Sequence, residues 1–321
     1  MSVVKAALKG FWRVVASPGL VFWLWLANFA VALPVGLVMA SSIRSSVGES
    51  LVDGKLRSGF DMGWYGEFRE KAKGLETTFT PTVLGAGAFY SNLESWLTGD
   101  LFKGFSGLIG LGVSYALLWA LFVGGVLDRY TGAPGRFSLS RFFSSGGKFF
   151  FRFVRLAILS GVLYFLIYRF SSWLFRTIEQ ATRDVTVERT VFFYTLLGAA
   201  LVVLALTFVN MSFDYAKIAT FKEERKSMLV AALRGFRFVL SHPGKTFGLY
   251  YSLGAVGVAL LLVYGWMAPG AGQSNWFTVA LAFLAGQIFL VAKLMLRLVF
   301  YAGQLVLFES ATPGRPVAAG E

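Results

Sequence analysis

The sequence predicts an all-α integral membrane protein: six transmembrane helices in three hairpin repeats, each hairpin preceded by an amphipathic interfacial helix on the cytoplasmic side. Three observations predict it. Six apolar runs have the length of a bilayer span, and basic residues crowd into alternate connections. In addition, a cationic phrase, AALKGFWRVVASPG at residues 6–19, returns as AALRGFRFVLSHPG at 231–244 with eight of fourteen positions identical.

Composition sets the class. Hydrophobic residues make up 56% of the 321 and charged residues 15%, against about a quarter charged in soluble domains, and mean hydropathy is +0.64. The net charge of +13 would suggest nucleic acid in a soluble chain. Beside 33 Phe and 9 Trp it belongs to membrane-proximal loops, so no nucleic-acid partner is expected. Without Cys there are no disulfides, thiolate metal sites or cysteine nucleophiles. The single His242 excludes a bis-histidine haem or a multi-histidine metal centre within one chain. No cofactor, metal or catalytic residue is expected.

A span needs about 20 apolar residues. The candidates are 20–41, 105–127, 149–170, 190–213, 246–268 and 276–298. The first follows Lys5, Lys9 and Arg13, yet is too long for the apolar region of a signal peptide and reads as an uncleaved span. The loop after the second span holds Arg129, Arg136, Arg141, Lys148 and Arg152 against Asp128 alone. The loop after the fourth holds Lys217, Lys222, Arg225, Lys226, Arg234, Arg237 and Lys245 against three acids. Segments 42–104, 171–189 and 269–275 are near neutral, mixed or uncharged. Positive charge therefore marks one side, which places both termini in the cytoplasm and the chain in a bacterial inner membrane as a multi-pass protein.

The chain reads as one membrane domain, 1–321. Hairpin 1 is 1–128 with an outside insertion at 42–104, hairpin 2 is 129–214, hairpin 3 is 215–308, and a tail covers 309–321. In the insertion, GFDMGWYGEFREKAKG is a mixed-charge aromatic helix. TFTPTVLGAGAFYSNLESWLTG is too broken by Pro81, glycines and Glu94 to face lipid, and reads as an interfacial or protein-buried helix. The insertion is a cap over the bundle or, alternatively, a docking surface or lid.

Endings of the repeated phrase align as VASPGLVF at 15–22, FSSGGKFF at 143–150 and LSHPGKTF at 240–247. Val4, Leu8, Phe11 and Val15 fall on one helical face, with Leu229, Leu233, Phe236 and Leu240 matching them. Lys5, Lys9 and Arg13 share another face, and Arg234 and Arg237 accompany the last copy. An apolar stripe with a cationic edge suits a helix in the bilayer interface whose cations meet anionic lipid headgroups. Pro18 or Pro243 ends the helix in the first and last copies, and glycine is expected to permit the bend into the membrane. These elbows anchor the bundle, or they move and couple cytoplasmic events to the spans.

Even-numbered spans end in acids, Asp128, Asp214 and Glu309. The last span continues apolar beyond two cations, with Lys293, Arg297, Tyr301 and Gln304 along one side. Lys293 or Arg297 is expected to face the bundle and pair with Asp214 or Asp128, as a structural ion pair or part of a pathway. The apolar run Val299 to Phe308 must bury itself against the elbows or a partner subunit. Asn210, Ser212, Asn28 and Gln287 read as interhelical hydrogen-bonding groups, each contributing about 0.6 kcal/mol. His242, beside Pro243, reads as a capped turn.

At DYAKIATFKEERKSMLVAALRGFRFVLSHPG, residues 214–244, the chain resembles uncharacterised bacterial six-span membrane proteins. It is distantly similar there to the membrane domain of some glycerophosphodiester phosphodiesterases. The resemblance covers the hairpin plan and this loop, and implies no catalytic motif. The sequence therefore points to a non-catalytic scaffold or accessory subunit of a membrane complex, with a protein partner or a second copy of itself. The alternative is a transporter or channel for a lipid or an amphipathic solute. An intramembrane enzyme lacks a nucleophile–base or metal constellation.

Overall fold

The computed structural model describes residues 1–48, 61–79, 109–132, 137–267 and 275–312. Every regular element among them is helical: α1 Val3–Val15, α2 Pro18–Gly48, α3 Met62–Lys71, α4 Ile109–Thr131, α5 Leu139–Ala181, α6 Glu188–Lys222, α7 Met228–Ser241, α8 Pro243–Met267 and α9 Trp276–Ala311, with a 3-10 turn at Gly74–Thr78. Six of them, α2, α4, α5, α6, α8 and α9, are long and apolar enough to cross a membrane. They extend past the sequence-derived spans because several run on as packed helix outside the apolar window. The interrupted apolar half of the insertion, from residue 80 onward, lies outside the described residues, as do Arg136, most of 269–275 and the tail after 312.

Local chemistry sets the breaks. Ser2 caps α1 by accepting from the Lys5 amide, Asn275 caps α9 by accepting from the Thr278 amide at 2.9 Å, and Asp61 caps α3. α1 stops just before Pro18, and α7 just before Pro243. Each proline is the first residue of the next helix, where its missing N–H costs nothing, while its ring disfavours helical backbone at Ser17 and His242. Gly19 and Gly244 lie inside the following helices, and the positive φ angles among the described residues belong to Glu224 and Gly74. The bend is therefore a proline effect, not the glycine effect expected from the sequence. The middle copy has Gly146 and Gly147 in place of that proline, and α5 runs as one helix of 43 residues with no elbow. A separate helix ahead of the second hairpin is thus absent.

The end of the bundle where α1 and α7 lie is called basal here. There each basic stretch crosses the span before it at backbone distance. A Cβ on Gly146 of α5 would stand 2.6 Å from the Leu121 carbonyl oxygen of α4. One on Gly235 of α7 would stand 2.8 Å from the Ala216 amide of α6 and collide with the Ser212 carbonyl. α1 instead closes onto the last span: a Cβ on Gly10 would lie 2.7 Å from the Gly303 amide of α9. Small residues at these crossings let helices approach closely, as in membrane helix pairs generally.

The same crossings bury the apolar continuation of α9. Leu298, Val299, Tyr301, Ala302 and Leu305 to Phe308 are all buried. The Phe308 ring lies 4.9 Å from that of Phe238 on α7, and Tyr215 of α6 stacks on it from 6.5 Å. Fully burying a leucine such as Leu298 or Leu305 stabilises by about 1.5–3 kcal/mol relative to leaving it in water. On α1 the buried face is Ala6, Gly10 and Val14; on α7 it includes Ala231, Gly235 and Val239. The large stripe points outward: Val4, Leu8, Phe11 and Val15 are exposed, as are Leu229, Leu233 and Leu240. Phe236 departs from it, half-buried against Phe208 and Phe213.

At the opposite end, α3 holds to the tip of α2. Trp64 and Phe68 are buried and stacked at 5.4 Å, and the Trp64 indole N–H donates to Ser46 Oγ at 3.2 Å.

Candidate functional site

The polar residues gather where α6, α8 and α9 face one another just above the basal crossings. Asp214 is buried on α6. Lys217, one turn on, sits 2.9 Å from its Oδ1, and the Gln304 amide of α9 donates to its Oδ2 at 3.4 Å. The Lys217 ammonium also stands 5.9 Å from the centre of the Tyr301 ring. The sequence expectation that Lys293 or Arg297 pairs with Asp214 or Asp128 is therefore corrected. The nearer Lys217 takes Asp214, at the i,i+3 spacing that one helix face provides. Asp128 takes Arg141 across the α4–α5 turn, with Nε 2.7 Å from Oδ2. Arg297 lies over the Trp119 ring of α4, its guanidinium carbon 3.3 Å from the ring centre. Lys293 is exposed and has no ion pair among the described residues.

Between these groups is a cavity of about 320 Å³. Lys217, Lys293 and Arg297 bring three positive charges to its wall and Asp214 one negative charge. Asn210 and Tyr250 supply its hydrogen bonds. Tyr164 of α5 donates to Asn210 Oδ1 at 3.2 Å, and Asn210 Nδ2 donates to the Tyr250 hydroxyl of α8 at 2.7 Å. Tyr250 accepts in that chain and keeps its own proton to donate. Leu296 and Phe300 form apolar wall.

The other polar residues singled out from the sequence divide. Gln287 accepts from the Trp25 indole N–H at 3.0 Å, tying α9 to α2. Asn28 donates instead to the Leu24 carbonyl of its own helix, at 2.6 Å, because one turn of helix brings that oxygen nearer than any neighbour. Among the described residues the Ser212 hydroxyl is buried without a partner, and its carbonyl faces Gly235. His242 ends α7 with its amide on the Phe238 and Val239 carbonyls. Of the basic residues assigned to lipid headgroups, Lys5, Lys9 and Arg237 are exposed. Arg13 and Arg234 turn inward, 3.5 Å from Glu309 and Glu223 respectively. Glu309 also holds Lys222 of α6 at 2.6 Å, so one carboxylate fastens α1 and α6 to the end of α9.

Sequence reasoning missed Lys217, Tyr250 and Trp119 as parts of this site. Lys217 carried a signal, its i,i+3 spacing from Asp214; the other two are brought in only by helix packing. Among the described residues no three His, Asp or Glu side chains cluster as a metal site. Compared with protein-family models, curated proteins and solved structures, the chain has no match.

Proposed function

We propose that the chain is a non-catalytic multi-span membrane protein, a scaffold or accessory subunit of a membrane complex in the bacterial cytoplasmic membrane, with both termini cytoplasmic. The observation that carries this reading is the two-sidedness of α1 and α7. Each commits its small-residue face to the bundle at backbone distance and leaves large apolar side chains and lysine or arginine outside. A helix built so suits the boundary between headgroups and acyl chains, with cations reaching anionic lipids. Close crossings and the Glu309 clamp favour anchoring over movement.

A transporter or channel for a lipid or amphipathic solute is the second reading, and the cavity beside Asp214 favours it. That cavity is lined on α9 only from Lys293 onward, at the basal edge of the apolar window, which supports a boundary site rather than a passage.

Purification from native membranes in mild detergent tests the proposal. A partner, or a second copy of the chain, held at fixed stoichiometry is the expected result. A lone monomer that moves labelled phospholipid across reconstituted vesicles would overturn it in favour of transport. Because the chain has no native cysteine, Glu67→Cys and Lys226→Cys give a clean topology measurement, with labelling expected from opposite sides of the membrane.

A further inference from the structure

The cavity between α6, α8 and α9 has more positive charge than its own carboxylate neutralises. Asp214 is satisfied by Lys217 at 2.9 Å and by Gln304 at 3.4 Å, so its charge is already matched within the protein. Lys293 and Arg297 are left on the same wall without a carboxylate partner among the described residues. Arg297 rests its guanidinium carbon 3.3 Å from the Trp119 ring centre, a cation–π contact that takes up no N–H donor with a carboxylate. The bond chain from Tyr164 through Asn210 to Tyr250 ends on a hydroxyl that accepts once and still has a proton to give, on the same cavity. Two cations and an oriented hydroxyl donor call for a compact anion with several acceptor oxygens.

Depth says which anion. Trp266 and Trp276, both strongly exposed, mark the end of α8 and α9 opposite the elbows, as interfacial tryptophans do. At about 1.5 Å per residue, Lys293 and Arg297 stand roughly 26 and 32 Å along α9 from Trp276. The hydrocarbon core of a bilayer is about 30 Å thick. The two cations therefore stand at the basal edge of the hydrocarbon core, from which their long side chains reach lipid phosphates, and Leu296 and Phe300 beside them offer apolar wall for an acyl chain.

We propose that this cavity is a specific site for the phosphate of an anionic phospholipid headgroup, with Lys293 and Arg297 as the charge partners and Tyr250 as the orienting donor. The site is separate from the exposed lysines of α1, and it stands whether or not the chain is a scaffold.

Native mass spectrometry of the detergent-purified full chain, titrated with phosphatidylglycerol, tests it. Lys293→Gln with Arg297→Gln is expected to lower phosphatidylglycerol affinity by about tenfold, the loss of a charge-assisted bond. Lys293 is exposed, so Lys293→Gln alone leaves folding intact and is expected to lose a few-fold. Tyr250→Phe is expected to do the same through its donor. An Arg69→Gln, Lys71→Gln control on α3, at the opposite end and exposed, keeps full affinity, and phosphatidylcholine binds wild type more weakly than phosphatidylglycerol. Equal affinity in wild type and the Lys293 and Arg297 variants would overturn the site, as would an equal loss in the Arg69 and Lys71 control. Inorganic phosphate competing as strongly as the lipid would overturn the headgroup assignment and make the ligand a free anion.

Discussion

The two ends of α9 are built on different rules. In its first five turns no residue of the apolar window is buried, and Trp276, Phe277, Leu281 and Phe283 face outward. From Tyr301 to Phe308 every residue is buried, chiefly against α1 and α6, with Phe238 of α7 on Phe308. Hydropathy does not separate the two halves, since both are apolar. The difference is the neighbour. Lipid tails solvate an apolar side chain as well as protein does, so spans have little drive to pack there. Beyond the boundary the alternative is water, and an apolar helix must find protein. The basal crossings with their glycines are that protein.

The largest consequence is expected where backbone meets backbone. Gly235→Ala sets a methyl group against the Ser212 carbonyl and the Ala216 amide, neither of which can rotate away, so α7 must move off α6. The expected loss is about 3 kcal/mol, the upper part of the overpacking range. Gly161→Ala in α5, where a Cβ would meet nothing within 4 Å, is expected to cost nothing or to stabilise slightly through helix propensity. Thermal unfolding followed by size-exclusion chromatography in detergent separates the two. Equal behaviour of the two variants would break the contrast between the ends.

Next in size is the charge pair beside the cavity. Asp214→Ala leaves the Lys217 ammonium with the Tyr301 ring alone and removes the acceptor of Gln304. A loss of about 1.5–3 kcal/mol is expected, the range for hydrogen bonds to charged groups, and Asp214→Asn should lose less because it keeps an acceptor for Gln304. The comparable test in the outward half is Gln287→Leu, which removes its bond to Trp25. About 0.6 kcal/mol is expected there. A loss from Gln287→Leu as large as that from Asp214→Ala would show that the outward half is packed as tightly as the basal one.

What the sequence made legible follows the same divide. Span number and approximate position depend on apolar length, which a bilayer reads directly, and all six appear as helices. The elbows before Pro18 and Pro243 were legible because proline acts locally. The third was misread because Gly147 was matched to Gly19 and Gly244, although it is the proline before those glycines that bends the chain. Gly146 proved to be the residue that matters, through its approach to Leu121. Partner choice among charges was the least legible. Asp128, Asp214 and Glu309 were conspicuous at the ends of spans, but which cation each meets is set by helix rotation and crossing, and neither is written in periodicity. The cavity is the extreme case, since its lining on α6, α8 and α9 spans residues 210 to 301 and only Asp214, Lys293 and Arg297 were marked for it.

The smallest effect tests whether basal strength comes from packing or from surface charge. Lys148 of α5 donates to Glu224, just beyond α6, at 2.6 Å, and this bond holds the Glu224 carboxyl below its ordinary range. A carboxyl depressed in the folded state contributes stability that is fully present above its unfolded value, about 4.3, and is lost as pH falls through the folded value. The window therefore lies below about pH 4.3. Both side chains are more than half exposed, so screening limits the contribution to less than about 0.5 kcal/mol. Glu224 also takes left-handed backbone, φ 46°, so Glu224→Gly would mix relief of backbone strain with loss of the pair. Lys148→Ala leaves the Glu224 backbone as it is. Its unfolding midpoint is expected to fall slightly below wild type at neutral pH and to converge with it in acid. A large gap at neutral pH that closed in high salt would assign the basal end to charge and not to the glycine crossings.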